Sequence, residues 1–141
     1  MSSFAKNISF LCEDSIVILL NGDLGVGKTF FTKYLIAVLC NVNVNNVDSP
    51  TFSICHEYKS TKNKKILHYD LYRIKDKSEI YEIGVFENFE KALIIIEWPD
   101  LISKYILESS IKYININIAI NDTQERFIEV KSNFTYQVNP L

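Results

Sequence analysis

Eight consecutive residues, Gly22-Asp23-Leu24-Gly25-Val26-Gly27-Lys28-Thr29, satisfy the pattern G-x-x-x-x-G-K-[ST] in full and set the frame for everything around them. The residues before them, Ile16 to Leu20 (IVILL), form an unbroken run of branched apolar side chains. Such a run is too short for a helix and suits a parallel strand buried on both faces. After the glycines, Phe30, Phe31, Tyr34, Leu35, Val38 and Leu39 recur at the spacing of a helix packed on that strand's sheet. Strand, glycine turn and helix together make a phosphate loop. Glycines let backbone amides curl around phosphate oxygens, and the helix N-terminus adds its positive dipole. In such a loop Lys28 carries charge to the β and γ phosphates, and the Thr29 hydroxyl is placed for a bridging Mg2+. The competing reading, a glycine turn and a capped helix without a ligand, leaves the agreement of motif and flanks unexplained.

The remaining pattern predicts one α/β domain over residues 1–141, a mostly parallel central sheet with an antiparallel hairpin and flanking helices. Phe4, Ile8 and Leu11 predict a short helix over Ser3 to Leu11, with a serine at its start to cap free amides. Asn41 to Asp48 leads into Ser49-Pro50 and reads as a loop. Thr51 to Tyr58 and Lys65 to Arg73 alternate as two antiparallel strands, the second presenting Ile66, His68, Asp70 and Tyr72 on one face. Asp76 to Glu90 predicts a helix and a turn, broken near Gly84. Ala92 to Ile96 (ALIII) is a second buried strand, and a short helix through Leu101 to Leu107 follows. Ile111 to Ile120 and Arg126 to Val130 are two more strands joined by an Asn121-Asp122 turn, and 136–141 read as a loose tail.

Composition narrows the setting. At 141 residues with 48% hydrophobic side chains, the chain can build one continuous core but not two domains. Fifteen Lys and Arg against 17 Asp and Glu give a formal charge of −2, which is no broad basic footprint for gripping nucleic acid directly. Nucleic acid is therefore expected to be reached through a partner. No apolar run approaches the roughly 18 to 20 residues needed to cross a bilayer, and no basic segment leads into an apolar one as in a secretion signal. Cys12, Cys40 and Cys55 are odd in number and form no Cys-x-x-Cys pair, so they read as reduced thiols of a cytoplasmic protein.

A phosphate loop needs a further acid to hold the metal and, for hydrolysis, a group that positions water. Glu97 closes the buried run ALIII, where a parallel strand delivers its last side chain to the sheet edge on which the phosphate loop also opens. Asp70 closes ILHYD in the same manner. On strand-end position alone, the competing reading of each is a surface carboxylate. Trp98-Pro99 on its own reads as a core aromatic and a turn, and His68, a lone histidine facing the way Asp70 faces, reads as structural and stays outside the catalytic set.

With these residues in view, the chain resembles the bacterial TsaE (YjeE) family, small ATPases of tRNA threonylcarbamoyladenosine biosynthesis. The resemblance rests on four blocks in order: Gly22 to Thr29, Ser49-Pro50-Thr51-Phe52, His68-Tyr69-Asp70-Leu71-Tyr72-Arg73 and Glu97-Trp98-Pro99. The first is generic and the other three are specific, and together they span residues 16 to 100. The resemblance implies a P-loop NTPase fold binding ATP and Mg2+. It also implies work with a threonylcarbamoyl-transferase subunit, TsaD, and that subunit's inactive paralogue, TsaB. Hydrolysis would reset that complex between turnovers, the modified adenosine lying beside the tRNA anticodon. Carried onto this chain, Lys28 and the amides of Gly22, Asp23, Leu24, Gly25, Val26 and Gly27 hold phosphates, and Thr29 and Glu97 hold Mg2+. Asp70 supports hydrolysis, Thr51 lies in a switch-like loop near the γ-phosphate, and Trp98 sits beside the site.

Two departures stand out. Phe30 replaces the family's usual second hydroxyl residue, a natural α-phosphate contact, so weaker nucleotide binding is expected. The N-terminus is also shorter than usual, and the strand that ordinarily precedes the first helix, with some adenine-side contacts, is expected to be missing. Among rivals, a small GTPase lacks its Asn-Lys-x-Asp segment here, since the nearest string is Asn63-Lys64-Lys65-Ile66. A small-molecule kinase ordinarily needs several arginines around the transferred phosphoryl group, and this chain has Arg73 and Arg126. A non-hydrolysing module that uses nucleotide to fix its shape for a partner stays open as the alternative.

Overall fold

A computed structural model describes residues 1–12, 15–50 and 53–136. Its strands are β1 (Val17–Asn21), β2 (Cys55–Lys59), β3 (Lys65–Asp70), β4 (Leu93–Glu97), β5 (Tyr113–Ile120) and β6 (Arg126–Ser132). They form one six-stranded sheet in the order β2-β3-β4-β1-β5-β6. The four inner strands are parallel, while β2 and β6 close the edges as antiparallel partners of β3 and β5. This is the architecture of a P-loop NTPase. The apolar runs occupy the middle because a parallel strand covered on both faces can expose no polar side chain without cost, and β4 is buried at every position.

The helices are α1 (Ser2–Ser9), α2 (Lys28–Cys40), α3 (Lys77–Glu82) and α4 (Asp100–Leu107). Alternation along the strands divides the core in two. Ile16, Ile18, Leu20 and Ile95 pack with Ala5 and Ile8 of α1 and with Phe31, Leu35 and Ile36 of α2. Val17, Leu19, Ile94 and Ile96 face the other way, onto Ile80 of α3 and Ile102 and Ile106 of α4. Each fully buried Leu or Ile side chain contributes about 1.5–3 kcal/mol by leaving water. Register then places function on one face. His68 pairs with Ile95 and Asp70 with Glu97, so all three polar groups lie on the α2 side, toward the C-terminal ends of neighbouring parallel strands.

Several boundaries differ from the sequence expectation, each for a local reason. Helix α1 begins at Ser2 with Met1 in the capping position and no side-chain cap, so the expected capping serine lies inside the helix instead. Strand β3 ends at Asp70 and not at Arg73, because the Asp70 carboxylate accepts the Tyr72 amide at 3.0 Å and turns the chain. Tyr72 thereby leaves the face shared by Ile66, His68 and Asp70. The described part of the segment expected as the first hairpin strand is extended only from Cys55. The Asn-rich loop holds one 3-10 turn, Val44–Asn46, and Asn41 ends α2 in the left-handed region at φ 53°. Residues 137–141, which carry nearly all of the expected loose tail, lie outside the described residues. All three cysteines are free, and among the described residues no helix is long and apolar enough to cross a membrane.

Candidate functional site

Because β1 ends at Asn21 and α2 starts at Lys28, residues Gly22 to Gly27 must turn the chain from sheet edge to helix. Gly22 does so at φ 146°, where an added Cβ would collide with the Ile118 carbonyl of β5 and the Val26 side chain. Gly27 occupies the N-cap of α2 at φ 113°. Val26 turns its side chain into the core, so it offers the site only backbone, whereas Asp23 and Leu24 stand exposed. The loop opens onto a cleft of about 350 Å³ whose walls include Gly25, Lys28, Thr29, Glu97 and Trp98.

Lys28 is 5% exposed. Its ammonium donates to the Gly22 carbonyl and, at 2.9 Å, to the Asp23 carbonyl. It also lies 3.7 Å from the centroid of the Trp98 ring, a cation–π contact. Burial pushes its pKa down, opposed by the negative charges of Glu97, Asp23, Asp70 and Asp100. Trp98 reaches this position from a left-handed backbone, φ 56°, which costs a bulky residue about 1–3 kcal/mol. Its ring also meets that of Tyr72, centroids 4.9 Å apart. Strain of that kind persists only where surrounding packing enforces it, and here it sets the Trp98 ring against the Lys28 ammonium.

Glu97 is 1% exposed and uses both carboxylate oxygens. Oε1 accepts the Thr29 hydroxyl at 2.7 Å, and Oε2 accepts Nε2–H of His68 at 2.6 Å. His68 is itself fully buried, and its Nδ1 has no hydrogen-bond partner among the described residues. Sequence reasoning left His68 outside the site. The signal was its place two residues before Asp70 on one strand face, but its partner became visible only once β3 and β4 were known to be adjacent. Asp70 stands in register beside Glu97 and does not line the cleft. Burial raises its carboxyl above the ordinary carboxylate range. The Tyr72 amide bond opposes that rise, the Glu97 charge adds to it, and His68 and Lys28 oppose it.

Arg126, from the far edge strand, also went unforeseen. Its Nε donates to the Val26 carbonyl at 3.0 Å and so fastens the loop to β6 from 100 residues away. Thr51, expected in a switch-like loop, lies outside the described residues. The donor set fits a magnesium nucleotide. Among the described residues no three His, Cys, Asp or Glu side chains cluster as a full metal cage would need. One carboxylate and one hydroxyl, already 2.7 Å apart, are instead the sparse oxygen set that Mg2+ accepts when phosphates and waters complete its shell.

A family model described as "Threonylcarbamoyl adenosine biosynthesis protein TsaE" matches residues 1–128. The chain is similar to the tRNA threonylcarbamoyladenosine biosynthesis protein TsaE of Rickettsia typhi, 42% identical over 135 residues that cover 95% of this chain and 90% of the relative. The protein of the same name from Aquifex aeolicus is 38% identical over 96 residues, 68% of this chain and 67% of the relative. That from Bacillus subtilis is 33% identical over 124 residues, 87% of this chain and 75% of the relative.

Proposed function

The chain belongs to the TsaE family, and from that premise we propose that it is a Mg2+-dependent ATPase serving the threonylcarbamoyladenosine modification of tRNA beside the anticodon. The observation that carries this reading is the buried Glu97 carboxylate, shared between Thr29 of the loop helix and His68, next to the Lys28 ammonium. The amides of Gly22 to Thr29 and the Lys28 ammonium hold the phosphates. To do so, Lys28 exchanges the neutral carbonyls of Gly22 and Asp23 for phosphate oxygens, a trade of ordinary hydrogen bonds for stronger charge-assisted ones. Thr29 and Glu97 would hold Mg2+, which would supply positive charge to offset that of the phosphates. His68 fixes the second oxygen of Glu97 and thereby keeps the first turned toward Thr29. Asp70, in register beside Glu97 and with its proton affinity raised by burial, supports hydrolysis from the neighbouring strand end.

The partners of this reading are the threonylcarbamoyl-transferase subunit TsaD and its inactive paralogue TsaB. Hydrolysis resets their complex between turnovers in the cytoplasm and is slow without them. A chain of net charge −2 meets tRNA only through them. The test is multiple-turnover threonylcarbamoylation of tRNA by the purified transferase pair, supplied with the activated intermediate, with this protein added as wild type, Lys28→Ala or Glu97→Ala. Turnover beyond the first cycle should require the wild type and fail with both variants. Equal turnover with all three would instead favour a nucleotide-fixed binding module that does not hydrolyse.

A further inference from the structure

We propose that Phe30 is a base-stacking residue of the cleft, so that this chain holds a purine nucleoside triphosphate partly by its base and not by phosphates alone. The inference rests on the nucleotide-binding reading above and names how that site reads the far end of its ligand. Phe30 follows Thr29 directly on α2 and lines the same cleft as Lys28 and Thr29, with Lys33 further along the wall. Phe30 is 54% exposed, an apolar side chain standing half in solvent on the cleft wall. The ring contact it makes is with Tyr34, one turn on, centroids 4.9 Å apart and planes at 69°. That edge-on contact steadies the Phe30 ring against the helix and still leaves it more than half in solvent.

The other aromatic of the cleft is already engaged, since Trp98 carries the Lys28 ammonium over its ring and packs on Tyr72. Phe30 is therefore the ring with surface to give. A phenyl group has no donor or acceptor for phosphate, so at this position it loses whatever bond a hydroxyl would make. What it can bind is the flat, polarisable group that hangs from the phosphate chain, by stacking. Stacking reads ring area and not the hydrogen-bonding edge, so the residue favours purines over pyrimidines and treats adenine and guanine alike.

The experiment is equilibrium binding, with Mg2+ present, of ATP, CTP and inorganic tripolyphosphate to wild type, Phe30→Ala and Phe30→Trp, each checked for a cooperative melt. Wild type should bind ATP roughly tenfold or more tightly than tripolyphosphate, with CTP between them. Phe30→Ala should lose that advantage while its tripolyphosphate affinity stays unchanged, and Phe30→Trp should keep it. An ATP advantage that survives Phe30→Ala, or that wild type does not have, overturns the stacking role and leaves the phosphate site standing. Wild type that binds neither ATP nor tripolyphosphate overturns the phosphate site itself, and the stacking role with it.

Discussion

Strands β4 and β6 belong to the same sheet and treat charge in opposite ways. Strand β4 is buried throughout and ends on Glu97, a carboxylate sealed from solvent with a donor on each oxygen. Strand β6 is an edge whose Glu129 and Lys131 form a pair at 3.5 Å with more than half of each side chain exposed. The second arrangement keeps an edge soluble and adds little stability, because water already solvates both ions. The first is expensive: an interior carboxylate costs several kcal/mol unless every lone pair facing protein is met. Here the group is met by one residue from a neighbouring strand and one from the phosphate loop, which is the arrangement that the proposed catalytic role of Glu97 requires.

The sharpest way to break this contrast is His68→Ala. It strips the buried carboxylate of one donor and should lower stability by about 1.5–3 kcal/mol in chemical denaturation, the scale of a hydrogen bond to a charged group, with Mg2+-dependent hydrolysis failing alongside. His68→Gln, which retains an N–H donor, should recover part of both. A His68→Ala protein as stable as wild type would mean that Glu97 is not held the way its geometry implies.

Asp70→Asn separates catalysis from stability at the neighbouring carboxylate. Hydrolysis should fall by about 100-fold, the scale of a lost acid–base group. Stability at neutral pH should stay level or rise slightly. A carboxyl whose folded pKa is raised costs stability when ionised; the cost is present above that value and disappears as pH falls below the unfolded value. The gain from Asn should therefore shrink on acidification toward the ordinary carboxylate range. A melting temperature well below wild type at neutral pH would contradict the assignment.

Arg126 is the point at which the two regions meet, since it alone among the β6 charges named here reaches the loop. Arg126→Ala should weaken nucleotide binding several-fold or more by freeing the Val26 carbonyl, the scale of a charged hydrogen bond, and should leave global stability nearly unchanged. Isothermal titration against the wild type decides it. Lys131→Ala should do least, shifting stability by under about 1 kcal/mol and leaving hydrolysis as it was. A larger loss would show that the edge pair is coupled to the core.

What was legible in the sequence was what local pattern determines. The motif with its flanks fixed β1, the loop and α2, and the run ALIII delivered Glu97 to the sheet edge. Strand-end position singled out Asp70 and the family resemblance Trp98, and the geometry brings both to the same sheet edge. What escaped depended on contacts distant in the chain. The His68–Glu97 bond spans 29 residues and needs β3 beside β4 in register, and the Arg126–Val26 bond spans 100. The early end of β3 escaped for a different reason, because Asp70 captures the Tyr72 amide in competition with the ladder.

The most direct test of the central claim is Mg2+-dependent ATP turnover by wild type and Glu97→Gln, measured with the transferase pair present and accompanied by ATP-binding titrations. Gln preserves shape and an acceptor for Thr29 while removing the charge that would hold the metal. The account expects Glu97→Gln to fold and to bind ATP, with turnover down by about 100-fold or more. A Glu97→Gln protein that hydrolyses ATP at the wild-type rate would contradict it.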